Sequence, residues 1–132
     1  MRITPDTNVL LRMAVRDDPA QAVAADEAIS SAELIVIPLA TLCEFVWVLQ
    51  RVYRKQREAI AASVQSLIDA EKVKTNIPAV ESGLRFLQAG GDFADGAIAS
   101  EGFQAGGEVF VTFDRKAATL IAKTGQTVKR LS

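Results

Sequence analysis

Two hydrophobic periods alternate along this chain. Thr7–Val15 places Val9, Leu10, Met13 and Ala14 at helical spacing, after a short candidate strand at Arg2–Pro5. Asp18 as N-cap and Pro19 at the first helical position predict a second, Ala-rich helix running to Ile29. Leu34–Ile37 is a continuous apolar run, of the kind buried on both faces of a parallel sheet, and Pro38 ends it. Leu39–Tyr53 then reads as a helix that is apolar almost all round, which predicts burial or packing against a partner chain. Ala59–Ala70 carries Ile60, Val64, Leu67 and Ile68 on one side of a further helix, and Lys72–Thr75 follows as a short strand. Asn76-Ile77-Pro78 opens a helix through Leu87 that Gly90-Gly91 closes. Asp92–Gln104 is the next helix and Val109–Thr112 the clearest strand. Asp114 caps a helix to Lys123, and Thr127–Lys129 forms a last edge strand. Strands alternating with helices predict an α/β fold, a three-layer sandwich with a central, mainly parallel sheet. Function in such sheets gathers at the carboxyl ends of the strands, where Asp6 and Asp114 fall.

Composition narrows the chemistry. The 132 residues fit one domain spanning 1–132, and 49% hydrophobic with 23% charged residues indicates a globular chain. A net charge of −1 gives no bulk attraction to nucleic acid, so any such contact needs a local basic patch or a metal. The single cysteine, Cys43, excludes an intrachain disulfide and suits a reducing cytoplasm. The absence of histidine excludes Ser-His-Asp and Cys-His catalysis and the usual zinc sites. Oxygen donors and hard cations such as Mg²⁺ or Mn²⁺ remain. Met1–Met13 has no apolar leader, and Leu34–Leu49 is short against the ~20 residues of a membrane span, so a soluble protein is expected.

The carboxylates carry the remaining information. Asp6 and Asp114 each follow a strand and precede a helix, where a plain N-cap is the competing role. Asp92 and Asp95 share a helical face three residues apart. Capping explains Asp92 better than Asp95, which precedes small residues and is expected to point into a crowded interior. Glu44 lies among Leu42, Phe45, Val46 and Trp47, where an unpaired buried carboxylate would cost several kcal/mol. It either reaches the surface, pairs with Arg51, or binds a cation. Convergent carboxylates raise one another's pKa values, and a divalent cation removes that conflict.

Four stretches in order resemble the PIN-domain nucleases, most closely the VapC-type toxins of bacterial toxin–antitoxin pairs. They are Asp6-Thr7-Asn8-Val9-Leu10, Glu44 to Leu49, Asp92-Phe93-Ala94-Asp95 with Ile98-Ala99, and Thr112 to Ala117. The resemblance implies a PIN-like parallel sheet, a Mg²⁺ or Mn²⁺ site, and endoribonuclease activity in which a metal-activated water cleaves the phosphodiester. It also implies a homodimer and a cognate antitoxin protein. Asp6, Glu44, Asp95 and Asp114 match the acidic quartet, Asp92 an additional acid, and Asn8 and Thr112 polar positions that arrange water. Pro5 stands where an apolar strand residue is usual. Gly96 replaces a larger residue and is expected to loosen its helix.

Arg51, Arg54, Lys55 and Arg57 are the candidate RNA contacts, with Arg12 and Arg16 behind them; a solvated helix end is the competing role. Two other functions fit the acids. A Mg²⁺-dependent phosphatase or phosphotransferase could use Asp6 as nucleophile, although Asn8 stands where a second Asp would be usual. A non-catalytic binding module would use the acids as structural caps.

Overall fold

A computed structural model describes residues 1–132. The elements run β1 (Arg2–Ile3), α1 (Thr7–Val15), α2 (Pro19–Ser31), β2 (Leu34–Val36), α3 (Leu39–Arg51), α4 (Arg57–Asp69) and β3 (Val73–Lys74). They continue as α5 (Ile77–Gln88), α6 (Phe93–Gln104), β4 (Val109–Thr112), α7 (Arg115–Lys123) and β5 (Thr127–Arg130). This is an α/β fold with parallel strands, divided into two compact units, Met1–Thr75 and Asn76–Ser132. No helix is long and apolar enough to cross a membrane.

The first unit is built on the parallel order β1-β2-β3, with Ile3 opposite Ile35 and Ile35 opposite Val73. Its core gathers Leu10, Ile35, Ile37, Leu42, Phe45, Leu49, Ile60 and Val64. Asp18 caps α2 by accepting from the Gln21 amide at 3.1 Å, and Pro19 opens the helix without losing a needed donor. The other end of α2 is satisfied from a distance. Lys72 Nζ donates to the carbonyls of Ser30 at 3.0 Å and Ala32 at 2.9 Å. A cation on orphan carbonyls also complements the negative end of the helix dipole.

One expectation fails here, and the other is left with its alternative, packing against a partner chain. β2 is not covered on both faces: Ile35 and Ile37 are buried, but Val36 is 39% exposed. Nor is α3 buried all round. Leu42, Phe45, Val46 and Leu49 face inward at i, i+3, i+4 and i+7, while Ala40, Glu44, Trp47 and Arg51 form an exposed stripe. The helix is amphipathic by burial although its composition hides it, because a tryptophan and an alanine occupy the solvent side.

The second unit pairs β4 with β5 in parallel, Val109 opposite Thr127 through Thr112 opposite Arg130. Phe86, Ala99 and Ile121 form its core, with Phe110, Leu120 and Val128 packed against them. α5 closes at Gly90, whose φ of +86° is open to glycine at little cost. The Gly91 amide donates to Phe86 O at 2.7 Å, which turns the chain towards Asp92.

α5 and α6 pack closely because Gly96 permits it. A Cβ on Gly96 would lie 2.7 Å from both Ser82 O and Phe86 Cγ. In the space thus left, the buried Ser82 hydroxyl donates to Gly96 O at 2.8 Å. Gly96 therefore tightens α6 against its neighbour, contrary to the loosening expected from its size. The helix gives up some intrinsic propensity and gains close backbone approach with a satisfied buried polar pair.

Candidate active site

In the first unit, Asp6 is exposed and caps α1, accepting from the Val9 amide at 3.1 Å. Asn8 is exposed in the first turn of α1. Glu44 is exposed on the α3 stripe and makes no ion pair with Arg51. Of the outcomes open to Glu44 the structure gives exposure at the surface, so burial does not oblige it to bind a cation. Its neighbours in sequence point inward while its own position on the helix points to solvent.

The cations of this unit divide sharply. Arg12 donates to Gln21 Oε1 at 2.6 Å and to Asp17 Oδ1 at 3.2 Å, and it also contacts Tyr53 Oη at 3.3 Å. Tyr53 in turn donates to Asp17 Oδ2 at 3.2 Å, closing a network around the α1–α2 turn. Arg16 holds Asp26 in a two-bond fork at 3.1 and 2.8 Å. That fork keeps the Asp26 carboxyl below the ordinary carboxylate range, by hydrogen bonding first. Arg12 and Arg16 are therefore already engaged within the first unit. Arg51, Arg54 and Lys55 are exposed and make no ion pair; Arg57 opens α4.

In the second unit, the acids sit on a rigid frame. Asp92 caps α6, accepting from the Ala94 amide at 3.1 Å, and is exposed. Phe93, wholly buried, anchors the same turn against Gly83, where a Cβ would approach the ring to 2.7 Å. Asp114 caps α7 through the Ala117 amide at 2.9 Å. Its own amide donates to the Thr112 hydroxyl oxygen at 3.0 Å, leaving that hydroxyl's proton free to donate elsewhere.

Asp95 differs from the other acids. It lies in the first turn of α6, half-buried, with neither a hydrogen bond nor a cation to compensate its charge. Burial pushes its pKa up from 3.8, and the charges of Asp92 and then Asp114 push it further. Asp95 thus feels the charges of two neighbouring carboxylates without neutralisation.

The donor set is all oxygen, which fits a hard divalent cation that keeps some of its water. In neither unit do three acids lie together closely enough to hold a metal ion. Glycine spacing was the signal sequence reading missed. Gly83 and Gly96 mark where Phe93 and α5 press on α6, and that packing fixes the turn that carries Asp95. No curated protein matches this chain. The PIN domain family matches residues 3–122, a span that takes in most of both units and every acid named above. PIN domains are generally nucleases, hydrolases that use divalent metals. With nearly its whole length matched, the chain belongs to the PIN-domain family.

Proposed function

We propose that this protein is a Mg²⁺-dependent endoribonuclease, the toxin component of a bacterial toxin–antitoxin pair acting in the cytoplasm. The observation that carries this reading is Asp95: half-buried, uncompensated, and strained by Asp92 and Asp114. A protein retains such a conflict where a cation resolves it or where chemistry uses it. Asp6, Glu44, Asp95 and Asp114, with Asp92 beside them, are the proposed ligands of Mg²⁺, with Mn²⁺ as a substitute. When bound, the cation supplies Lewis-acid stabilisation of phosphodiester charge and lowers the pKa of water.

The side chains do the rest. Thr112 and Asn8 orient the attacking water through their hydroxyl and amide groups. The water oxygen bonds to phosphorus as the bond to the 3′ oxygen breaks, leaving a 3′-hydroxyl and a 5′-phosphate. Arg51, Arg54, Lys55 and Arg57 offer donors for RNA phosphates, a contribution that weakens with salt.

Two protein partners complete the proposal. Trp47, 56% exposed on the α3 stripe, supplies an apolar contact for a second copy of this chain. An apolar cleft of about 370 Å³ in the first unit, lined by Leu10, Met13, Ile29, Ile35 and Leu67, suits an apolar segment of an antitoxin.

Thermal unfolding tests the metal site directly. Wild type is compared with Asp95→Asn, in EDTA and in ~10 mM MgCl₂ or MnCl₂, since a ligand of the folded state raises the midpoint by mass action. A rise in wild type that Asp95→Asn lacks is expected. Equal behaviour of the two proteins would count against the site.

A further inference from the structure

We propose that a pocket in the second unit binds a free nucleoside monophosphate, at a site apart from the acids and independent of the nuclease reading. The pocket holds about 300 Å³, at the small end of the range for ligand sites, which is room for one nucleotide rather than a strand. It is lined by Ser82 and Arg85 of α5, Ser100 and Phe103 of α6, Ile121 of α7, and Gln126 just before β5. Asp92, Asp95 and Asp114 stand at the opening turns of α6 and α7, whereas the pocket is built on the closing turns of the same helices. Phe103 lies ~12 Å further along α6 than Asp95.

The lining leaves several groups unmet. The Arg85 guanidinium is exposed and has neither an ion pair nor a hydrogen bond. No carboxylate lines the pocket to neutralise it. Ser82 Oγ gives its proton to Gly96 O at 2.8 Å and keeps lone pairs to accept with. Ser100 Oγ accepts from Gln104 Nε2 at 3.3 Å and keeps its proton to donate. Gln126 spends one N–H on Ala99 O at 3.5 Å, which leaves a second N–H and its amide oxygen. Ile121 is buried and supplies an apolar floor. Phe103 is 63% exposed, on a backbone whose carbonyl is held by the Gly106 amide at 3.1 Å.

These groups select among ligands. The unmet cation calls for an anion. The closing turns of two helices carry partial negative charge, so a bare anion on Arg85 gains little by itself. The rest of the affinity must come from the body of the ligand. An aromatic face over an aliphatic floor fits a planar ring, and the mixed donors and acceptors of Ser82, Ser100 and Gln126 fit the edge of a nucleobase. A sugar phosphate would leave Phe103 unused. An amino acid would bring an ammonium group with no carboxylate in the lining to meet it. An apolar side chain from a protein partner would cover Arg85 and Gln126 without satisfying them. A nucleoside monophosphate answers both needs, with phosphate on the guanidinium and base against the ring.

Calorimetry and thermal unfolding of the full chain in EDTA test the site, since without a cation the acids have no means of holding a phosphate. The probes are AMP, CMP, GMP and UMP, with the matching nucleosides, ribose 5-phosphate and inorganic phosphate as fragments, all at millimolar concentration. At least one nucleotide should bind and raise the unfolding midpoint by mass action. Each fragment should bind at least about tenfold more weakly than that nucleotide. Arg85→Gln removes a charge-assisted contact and Phe103→Ala a stacking face, and each should weaken the nucleotide about tenfold. Both side chains are exposed, so both variants should unfold at the wild-type midpoint when no ligand is present. Failure of every nucleotide to bind overturns the proposal, as does binding that Arg85→Gln or Phe103→Ala leaves undiminished. Inorganic phosphate bound as tightly as the nucleotide would reduce the pocket to a plain anion contact and also overturns it. RNA cleavage in Mg²⁺ is read separately, so this proposal and the nuclease reading can fail independently.

Discussion

The two units of the chain treat their charges in opposite ways. In Met1–Thr75, Arg16 grips Asp26, and Arg12 ties Asp17, Gln21 and Tyr53 together; carboxylates near cations are neutralised by them. In Asn76–Ser132, the charges of Asp92 and Asp114 act on Asp95 with no cation engaged, although Arg115 and Lys116 stand unpaired in the same unit. The first arrangement is what folding alone favours. The second costs stability, and its persistence on a tightly packed frame points to function. Charge count alone would not separate them, because the contrast lies in who neutralises whom.

The largest effect that sharpens this contrast is on the frame. Gly96→Ala should destabilise the protein by about 1–3 kcal/mol, because the new methyl meets the Ser82 carbonyl and the Phe86 ring. Denaturant unfolding at neutral pH measures it. A neutral result would mean that α5 and α6 can separate, and that the turn carrying Asp95 is less rigid than described.

Next in size is a pair of carboxamide substitutions with opposite signs. Asp95 has a raised pKa in the folded state, so its contribution to stability is fully present below 3.8 and is lost as pH rises through the folded value. Asp95→Asn should therefore unfold at a higher temperature than metal-free wild type at pH 7, with the gain vanishing below pH 3.8. Asp26 has a lowered pKa, so its contribution is present above 3.8 and is lost as pH falls through the folded value. Asp26→Asn should unfold earlier at pH 7 and converge on wild type in acid. Melting curves across pH check both; equal signs for the two variants would break the contrast.

The smallest expected effect is that of Arg16→Ala. Its fork with Asp26 is solvent-exposed, and exposed pairs are screened and entropically costly. A slight loss of midpoint that disappears at high salt is expected. A large loss would show that the first unit depends on its ion pairs far more than exposure suggests.

Much of the fold was legible in sequence because local signals agreed with the final structure. Asp18-Pro19, Asn76-Ile77-Pro78 and Gly90-Gly91 marked helix ends correctly, and Val109–Thr112 and Thr7–Val15 fall where their periodicity placed them. The capping roles of Asp6, Asp92 and Asp114 were equally readable, since an N-cap is a local interaction. Which outcome holds for Glu44 was not legible, because burial depends on which face of α3 meets the core, and a helix with apolar residues on every side does not announce that face. The internal pairing of Arg12 and Arg16 was not legible for a related reason. Their partners Tyr53 and Asp26 lie 41 and 10 residues away, beyond any local pattern. The partial burial of Asp95 was expected from the small residues after it and its conflict with Asp92 from their spacing, whereas the part played by Asp114 required the fold.

Cleavage of a single-stranded RNA by wild type and Asp95→Asn, with Mg²⁺ and with EDTA, tests the central claim most directly. Wild type with Mg²⁺ should cleave and leave 5′-phosphate ends. EDTA should abolish cleavage, and Asp95→Asn should lose at least ~100-fold, since even groups that only support metal ligands cost 10–100-fold when removed. Cleavage that persists in EDTA, or an Asp95→Asn protein as active as wild type, would contradict a metal-dependent nuclease centred on these acids.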